Sequence, residues 1–138
     1  MNLIFDFDLV VVRHGLFFLK DAKFILRSLQ ENGHNLKIVT NRGGTGCFIA
    51  RIILLFNGLA IPVVKVGKGG NKANYITEGH LFVDDTEKNV RDVSSVVENS
   101  YIFSETKHPN LPTLSSWKDI DREICRLLTE EQQKELAV

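Results

Sequence analysis

Apolar residues fall into two rhythms along this chain. Short, mainly apolar runs recur from Leu3 up to Asp6 and at residues 36–40, 61–66, 80–84 and 101–103, and between them apolar residues return every three or four positions. The first rhythm belongs to strands covered on both faces, the second to helices with one covered stripe. Ala22, Ile25, Leu26 and Leu29 sit at i, i+3, i+4 and i+7, with Asp21 near the start and Gly33 just past the end, so a helix is predicted there. Phe48, Ile49, Ile52, Ile53, Leu55 and Phe56 predict a second helix ending at Gly58. Its apolar face is wide, and the expectation is burial against the sheet, with a subunit contact as the alternative. Lys72, Ala73, Tyr75 and Ile76 predict a short helix, and Val90, Val93 and Val97 another. The last helix carries Ile120, Ile124, Leu127 and Leu128 and is entered through Ser116 with Asp119 three residues on, a capping-box pattern. The charged stretch from Glu130 to Glu135 extends that helix into solvent.

Strands alternating with helices predict an α/β fold. The expected form is three-layered and doubly wound, with a mainly parallel five-stranded sheet, helices on both faces and right-handed crossovers. With 138 residues the chain suits a single domain, its core over about residues 1–104 and a C-terminal loop and helix over about 105–138. Val10-Val11-Val12 and Leu16-Phe17-Phe18 flank Arg13-His14-Gly15, which predicts a short hairpin-like projection with a basic tip.

Composition narrows the function classes. The formal net charge is zero, so no global field draws the protein to nucleic acid or an anionic membrane, although local patches remain open. No apolar run reaches membrane-spanning length. Met1-Asn2 lacks a basic leader region and Asp6 interrupts the first apolar run, so the expectation is a cytoplasmic protein with no membrane partner. Cys47 and Cys125 each fall within a predicted helix without a partner at metal-ligand spacing, and both are expected to be small apolar packing residues.

Chemistry concentrates where strands end. In a parallel sheet all carboxyl ends lie along one edge, and here they carry Asp6-Phe7-Asp8, Thr40-Asn41-Arg42 and Asp84-Asp85, with Lys72 arriving just before the run at 80–84. Asp6 and Asp8 share a face if the strand continues through both. Carboxylates so close repel, and the problem is solved by a cation among them. Acids, a hydroxyl and an ammonium converging on one edge suit Mg²⁺ and a phosphoryl group. Gly67-Lys68-Gly69-Gly70-Asn71-Lys72 lacks the glycine before Lys72 and the following Ser or Thr that a phosphate-binding Gly loop requires, and Gly43-Gly44-Thr45-Gly46 misses the dinucleotide spacing. His80 is expected at the opposite end of its strand and His34 in a turn, both structural or solvated. His14 stands on the projection beside Arg13, as an exposed turn residue within reach of substrate.

Taken in order, these stretches resemble the motifs of the haloacid dehalogenase-like hydrolases, specifically their phosphatase branch. Asp6-Phe7-Asp8-Leu9-Val10 resembles the first motif, Thr40 the second, Lys72 the third, and Asp84-Asp85-Thr86-Glu87-Lys88-Asn89 the fourth. The resemblance spans residues 3–103. Val10 departs from the more usual threonine, and Lys68 competes with Lys72 for the third motif. The resemblance implies Asp6 as nucleophile forming an aspartyl-phosphate, and Asp8 as acid and then base, its backbone carbonyl on Mg²⁺. It further implies Thr40 as a donor to a phosphoryl oxygen and Lys72 as its neutralising cation. Asp85 is implied as the principal metal carboxylate, with Asp6 and Asp84 beside it and Asn89 orienting the pair. Thr40, Asn41, Arg42 and Lys72 make up the expected substrate-binding set.

The implied activity is that of a Mg²⁺-dependent phosphatase. The rival from another class is a catalytically quiet binding module of the same fold, and the presence of both Asp6 and Asp8 speaks against it. A phosphoacceptor receiver is disfavoured because its phosphorylated Asp ends the third strand, where this chain has Val66. Members of the haloacid dehalogenase-like family acting on small metabolites usually carry a cap domain after the first motif or between the second and third, and neither interval here has room for one. The expected substrate is therefore a phosphorylated macromolecule, such as a nucleic-acid end or a phosphoprotein, met by a rim of Arg13, His14, Arg42, Lys65 and Lys68. A cap from another subunit remains open, so the state is monomer or homo-oligomer.

Overall fold

In a computed structural model, residues 1–13 and 17–137 are described. At the centre is β1 (Asn2–Phe5), whose Leu3, Ile4 and Phe5 are almost completely excluded from solvent. Being covered on both faces, β1 has no need of polar positions, and its three apolar residues divide between two cores by simple alternation. Leu3 and Phe5 join the larger core with Phe7, while Ile4 points into the smaller one with Val39, Ile76, Phe82, Val93 and Val97.

After β1 come the two-stranded hairpin β2 (Val12–Arg13) and β3 (Phe17–Phe18), then α1 (Ala22–Glu31) and β4 (Asn35–Thr40). There follow α2 (Gly44–Phe56), β5 (Val63–Lys65), a 3₁₀ turn (Lys72–Tyr75), β6 (Leu81–Asp84), α3 (Glu87–Val93), β7 (Ser100–Phe103), β8 (Thr113–Leu114) and α4 (Trp117–Leu136). The main sheet runs β5-β4-β1-β6-β7-β8, and every pairing in it is parallel. The chain winds outward from β1 through β4 to β5, then crosses back to β6 and winds the other way. Buried residues of α1, α2 and α4 belong to the larger core; α3 and the residue just after the 3₁₀ turn contribute to the smaller one. The winding reverses beside β1, so the crevice of a doubly wound sheet opens at the carboxyl ends of β1 and its neighbours.

The three-layer parallel architecture is as the sequence predicts, with several corrections. The sheet has six strands, not five: β8 is two residues long, too short to show a period, and pairs with β7 through Ile102 N–H donating to Pro112 O at 2.9 Å and Ser104 N–H to Leu114 O at 3.1 Å. β1 stops at Phe5, so Asp6 and Asp8 lie in the turn beyond it rather than on a continuing strand. The wide apolar face of α2 is not buried against the sheet. Only Cys47, Ala50 and Leu54 are covered, while Phe48 is 61% and Phe56 87% exposed, because α2 covers the edge strand β5 and leaves its outer face to solvent. Cys125 is exposed on α4 rather than packed, whereas Cys47 is buried as expected. The hairpin sits where a projection is predicted, but His14 and Gly15 lie outside the described residues.

Between Asp8 and Thr40 the described residues hold that hairpin and α1, and between Thr40 and Lys72 only α2 and β5; no cap occupies either interval. Among the described residues no helix is long and apolar enough to cross a membrane. Ser116 caps α4, its Oγ accepting from Asp119 N–H at 3.1 Å, and Ser115 N–H donates to Asp119 Oδ2 at 3.2 Å. The first residue of α4 then reaches across the larger core. The Trp117 ring lies 5.0 Å from that of Phe5, and its Nε1–H donates to Val10 O at 2.7 Å. The C-terminal helix thereby fixes the loop that follows Asp8.

Candidate active site

Pairing with β6 does not stop where β1 stops. Asp6 N–H still donates to Val83 O at 2.9 Å, which fixes the Asp6 backbone beside the end of β6. From there the chain turns sharply. Val11 and Val12 N–H both donate to Phe7 O, Leu9 N–H donates to Val12 O, and Leu9 takes a left-handed conformation with φ 61°. Such a backbone costs a non-glycine residue about 1–2 kcal/mol and persists where its surroundings over-determine it. Here it turns the chain away directly after Asp8.

Asp84 ends β6 one strand away and is fully buried, as is Lys72 at the head of the 3₁₀ turn. The Lys72 Nζ donates to Asp6 Oδ1 at 2.8 Å and to Asp84 Oδ2 at 2.6 Å. Asn71 sets this up: its Oδ1 caps the turn by accepting from Ala73 N–H at 2.8 Å. Of the two candidate lysines, Lys72 lies inside the cluster and Lys68 is exposed on the loop before it. Asp84 has little spare capacity. Its Oδ1 accepts from Thr86 N–H at 2.9 Å and its Oδ2 also accepts from Asn89 Nδ2 at 3.1 Å. Asn89 therefore orients Asp84, and Asp85 beside it is half-buried.

Asp6, Asp84 and Asp85 each offer a carboxylate oxygen within 4.8 Å of the others. Burial and the neighbouring Asp84 charge push the Asp6 carboxyl well above its usual range, with Lys72 only partly offsetting them. Burial raises Asp85 too, against a hydrogen bond with Asp6 that lowers it. Burial pulls Lys72 down, but the charges of Asp6 and Asp84 outweigh it and its net shift is upward. Three carboxylates face one ammonium, so the cluster is short of positive charge. Its donors are hard oxygens, which fit Mg²⁺. Asp85 and Asp6 have the freer oxygens for such an ion, and Asp84 is tied to Lys72, Asn89 and Thr86.

A second ionic group forms the outer wall. Arg42 grips Asp8 with two hydrogen bonds, Nε to Oδ2 at 2.9 Å and Nη2 to Oδ1 at 2.6 Å. Its guanidinium carbon sits 4.8 Å from the centre of the Phe7 ring, and its Nη1 donates to Gly46 O at 3.3 Å. Glycine at 46 gives the Arg42 stem room, because a Cβ there would meet Arg42 Cβ at 3.0 Å, a tight contact. The hydrogen bond with Asp8 raises the Arg42 pKa further. Thr40 is buried at the end of β4, and its Oγ1 accepts from Arg42 N–H at 3.2 Å, which leaves its own O–H proton to be donated. Nearby, α2 begins at Gly44 with no side-chain cap, and uncapped first-turn amides are anion donors.

Asp6, Asp8, Thr40, Asn41, Arg42, Asp85, Thr86 and Asn89 together line one open hollow. Asn41 lines the hollow and also has a structural task. Its Nδ2 donates to Gly67 O at 2.8 Å and Gly70 O at 3.3 Å, and its Oδ1 accepts from Asn89 at 3.3 Å, so it ties the loop carrying Lys68 to the site floor. Arg13, Lys65 and Lys68 are exposed and do not line the hollow, and His14 lies outside the described residues. His80 is at the amino end of β6, where its Nδ1 accepts from Asn2 N–H at 2.9 Å, and His34 lies near the N-terminal amine at 3.2 Å; both are remote from the hollow, as expected. Sequence reasoning does not find the Asp8–Arg42 fork or the Phe7 ring beneath it, which join positions 34 residues apart.

No family model matches the chain, and no curated protein does. Solved structures do. D,D-heptose 1,7-bisphosphate phosphatase from Burkholderia thailandensis superposes with a TM-score of 0.67 at 10% identity, over 90% of this chain and 97% of that one. A HAD-superfamily hydrolase from Ehrlichia chaffeensis gives 0.58 at 16% identity, over 81% of this chain and 60% of that one. At these identities the likeness is one of fold, and it coincides with the ordered motifs that carry the sequence resemblance. The chain has the haloacid dehalogenase-like fold, without a cap between its motifs.

Proposed function

We propose that the protein is a Mg²⁺-dependent phosphohydrolase that works through an aspartyl-phosphate on Asp6. The observation that carries this reading is the fully buried Lys72, bonded to both Asp6 and Asp84 at one end of the sheet. A buried charge cluster of this kind is a poor way to stabilise a fold, since apolar residues of similar volume often do better. It is a good way to hold a nucleophile and neutralise a transferring phosphoryl group.

In this reading an Asp6 oxygen attacks phosphorus and the bond to the leaving oxygen breaks. Asp8 gives that oxygen a proton, then takes one from the water that cleaves the aspartyl-phosphate. Thr40 O–H and Lys72 Nζ hold the non-bridging oxygens, with the first amides of α2 as further donors. Asp6 and Asp85, with the Asp8 backbone carbonyl and support from Asp84, would hold Mg²⁺, which when bound supplies charge neutralisation for the acids and the phosphoryl group. The phosphatase among the structural neighbours supports this chemistry.

The substrate we propose is a phosphorylated macromolecule, a nucleic-acid end or a phosphoprotein. An open hollow without a cap gains little by enclosing a small molecule. Turnover of a panel of sugar phosphates, nucleotides, oligonucleotides with 3′- or 5′-phosphates and phosphopeptides, with and without Mg²⁺, tests the whole reading. The expected result is Mg²⁺-dependent phosphate release that is fastest for a macromolecular member. Release that ignores Mg²⁺, or none from any member, defeats it.

A further inference from the structure

The Asp8–Arg42 fork carries an inference about what the leaving group looks like, and it rests on the hydrolase reading above. If Asp6 attacks and Asp8 serves the leaving oxygen, then the side of the hollow bearing Asp8 is the leaving-group side. The cation on that side is Arg42. Lys72 is fully buried behind the hollow and held by Asp6 and Asp84, whereas Arg42 lines the hollow itself, where a charged part of the leaving group would meet it.

Arg42 is held as a preformed fork. Its Nε and Nη2 bind Asp8, Nη1 donates to Gly46 O, Phe7 lies under the guanidinium, and the stem packs closely against Gly46. A guanidinium has five N–H groups. The contacts named use three, and one N–H on each Nη has no partner among the described residues. Two adjacent N–H groups of a rigid guanidinium match two oxygens of a phosphate. The side chain retains 18% of its exposure, and the Asp8 side chain 45%, so this end of the fork is reachable from the hollow.

We propose that Arg42 is a specificity-determining residue that binds a second phosphate on the leaving group, making the substrate a phosphomonoester that carries a further phosphate beyond the scissile bond. Two sources have this chemistry: a small bisphosphate, and a nucleic-acid strand end, whose first internucleotide phosphate follows the terminal one.

The test compares paired probes that differ in that second phosphate. One pair is 1,3-propanediol bisphosphate and its monophosphate; the other is a 5′-phosphorylated thymidine dinucleotide and thymidine 5′-monophosphate. In wild type, kcat/KM is expected to favour the doubly charged member of at least one pair by roughly 10- to 100-fold, the worth of a charge-assisted hydrogen-bond pair, and the pair showing it identifies the source. Arg42→Gln should bring that ratio close to one, and Arg42→Lys, a point charge without the fork, should leave it in between. Melting temperatures confirm that both variants fold, and Arg42→Lys carries the comparison if Arg42→Gln does not. No preference in either pair overturns the proposal, as does a preference that survives both substitutions. Dissociation constants of the same probes for Asp6→Asn, with and without Arg42→Gln, separate the two readings. A binding preference that disappears with Arg42→Gln, when wild type hydrolyses none of the probes, upholds the phosphate site and ends the hydrolase reading. Hydrolysis without any preference does the reverse.

Discussion

The buried ion pairs behind the hollow, its inner wall, and the pair along its rim, its outer wall, solve the same problem, an acid beside a base, on opposite terms. Lys72 and its partners Asp6 and Asp84 are almost wholly excluded from solvent, with every contact inside the protein. Arg42 and Asp8 are paired just as tightly but stand at the rim, where water and ligands reach them. Buried charges cannot exchange partners without great cost, whereas a rim pair can. The inner wall is therefore suited to holding one arrangement through a reaction, and the outer wall to accepting whatever substrate brings.

The contrast is sharpest at the two acids of the first motif. Asp6→Asn should remove turnover, by roughly 10⁴-fold or more, since an amide cannot attack phosphorus; a purified variant with wild-type rates sinks the assignment. Asp8→Asn should cost less, about 10²–10⁴-fold, and equal rates for the two proteins would take Asp8 out of proton transfer. Stability should show the opposite emphasis. Lys72→Met strands Asp6 and Asp84 in the interior and is expected to destabilise the fold by about 3–5 kcal/mol, whereas Arg42→Gln should cost about 1 kcal/mol or less. Denaturant melts giving similar losses for both would erase the distinction between the walls.

The adjacent acids of β6 and its following turn divide in the same way. Asp84 is committed to Lys72, Asn89 and Thr86, and Asp85 is half-buried with freer oxygens. Asp85→Ala should weaken Mg²⁺ activation more than Asp84→Ala, and Asp84→Ala should lower the melting temperature more. A titration in the reverse order assigns the pair the other way round.

The smallest expected effect is in pH. Burial raises the Asp6 carboxyl above its model-peptide value of 3.8, so the folded protein holds that proton more tightly than the unfolded chain. The stability this contributes is complete below about pH 4 and is lost as pH rises through the elevated value. Asp85, also raised, acts in the same direction. In metal-free buffer the melting temperature of wild type should thus fall by a few degrees relative to Asp6→Asn between pH 4 and neutrality, and Mg²⁺ should restore wild type alone. A difference that does not change with pH contradicts this.

Much of the inner wall is legible in the sequence. Asp6, Thr40 and Asp84 each close an apolar run, and the last residue of a parallel strand has a known place in an α/β protein. Lys72 and Lys68 look alike in one dimension, and what separates them is the Asn71 cap that starts the 3₁₀ turn at Lys72 and buries it. The outer wall is not legible, because Arg42 meets Asp8 only once β4 is laid beside β1. β8 escapes notice because two residues carry no rhythm. The apolar stripe of α2 misleads for a physical reason: periodicity reports which residues share a face, not whether anything covers it.

Trp117 gives the protein a schedule as well as a shape. Every residue of both walls has been made by the time the ribosome has passed Asn89, yet the loop after Asp8 is braced by an indole 107 residues further along the chain than its partner Val10. Until that indole arrives, the larger core lacks Trp117, Ile120, Ile124 and Leu127, and a domain folds as a unit. A nascent chain therefore carries all of these charged groups before the helix that braces their loop has been made.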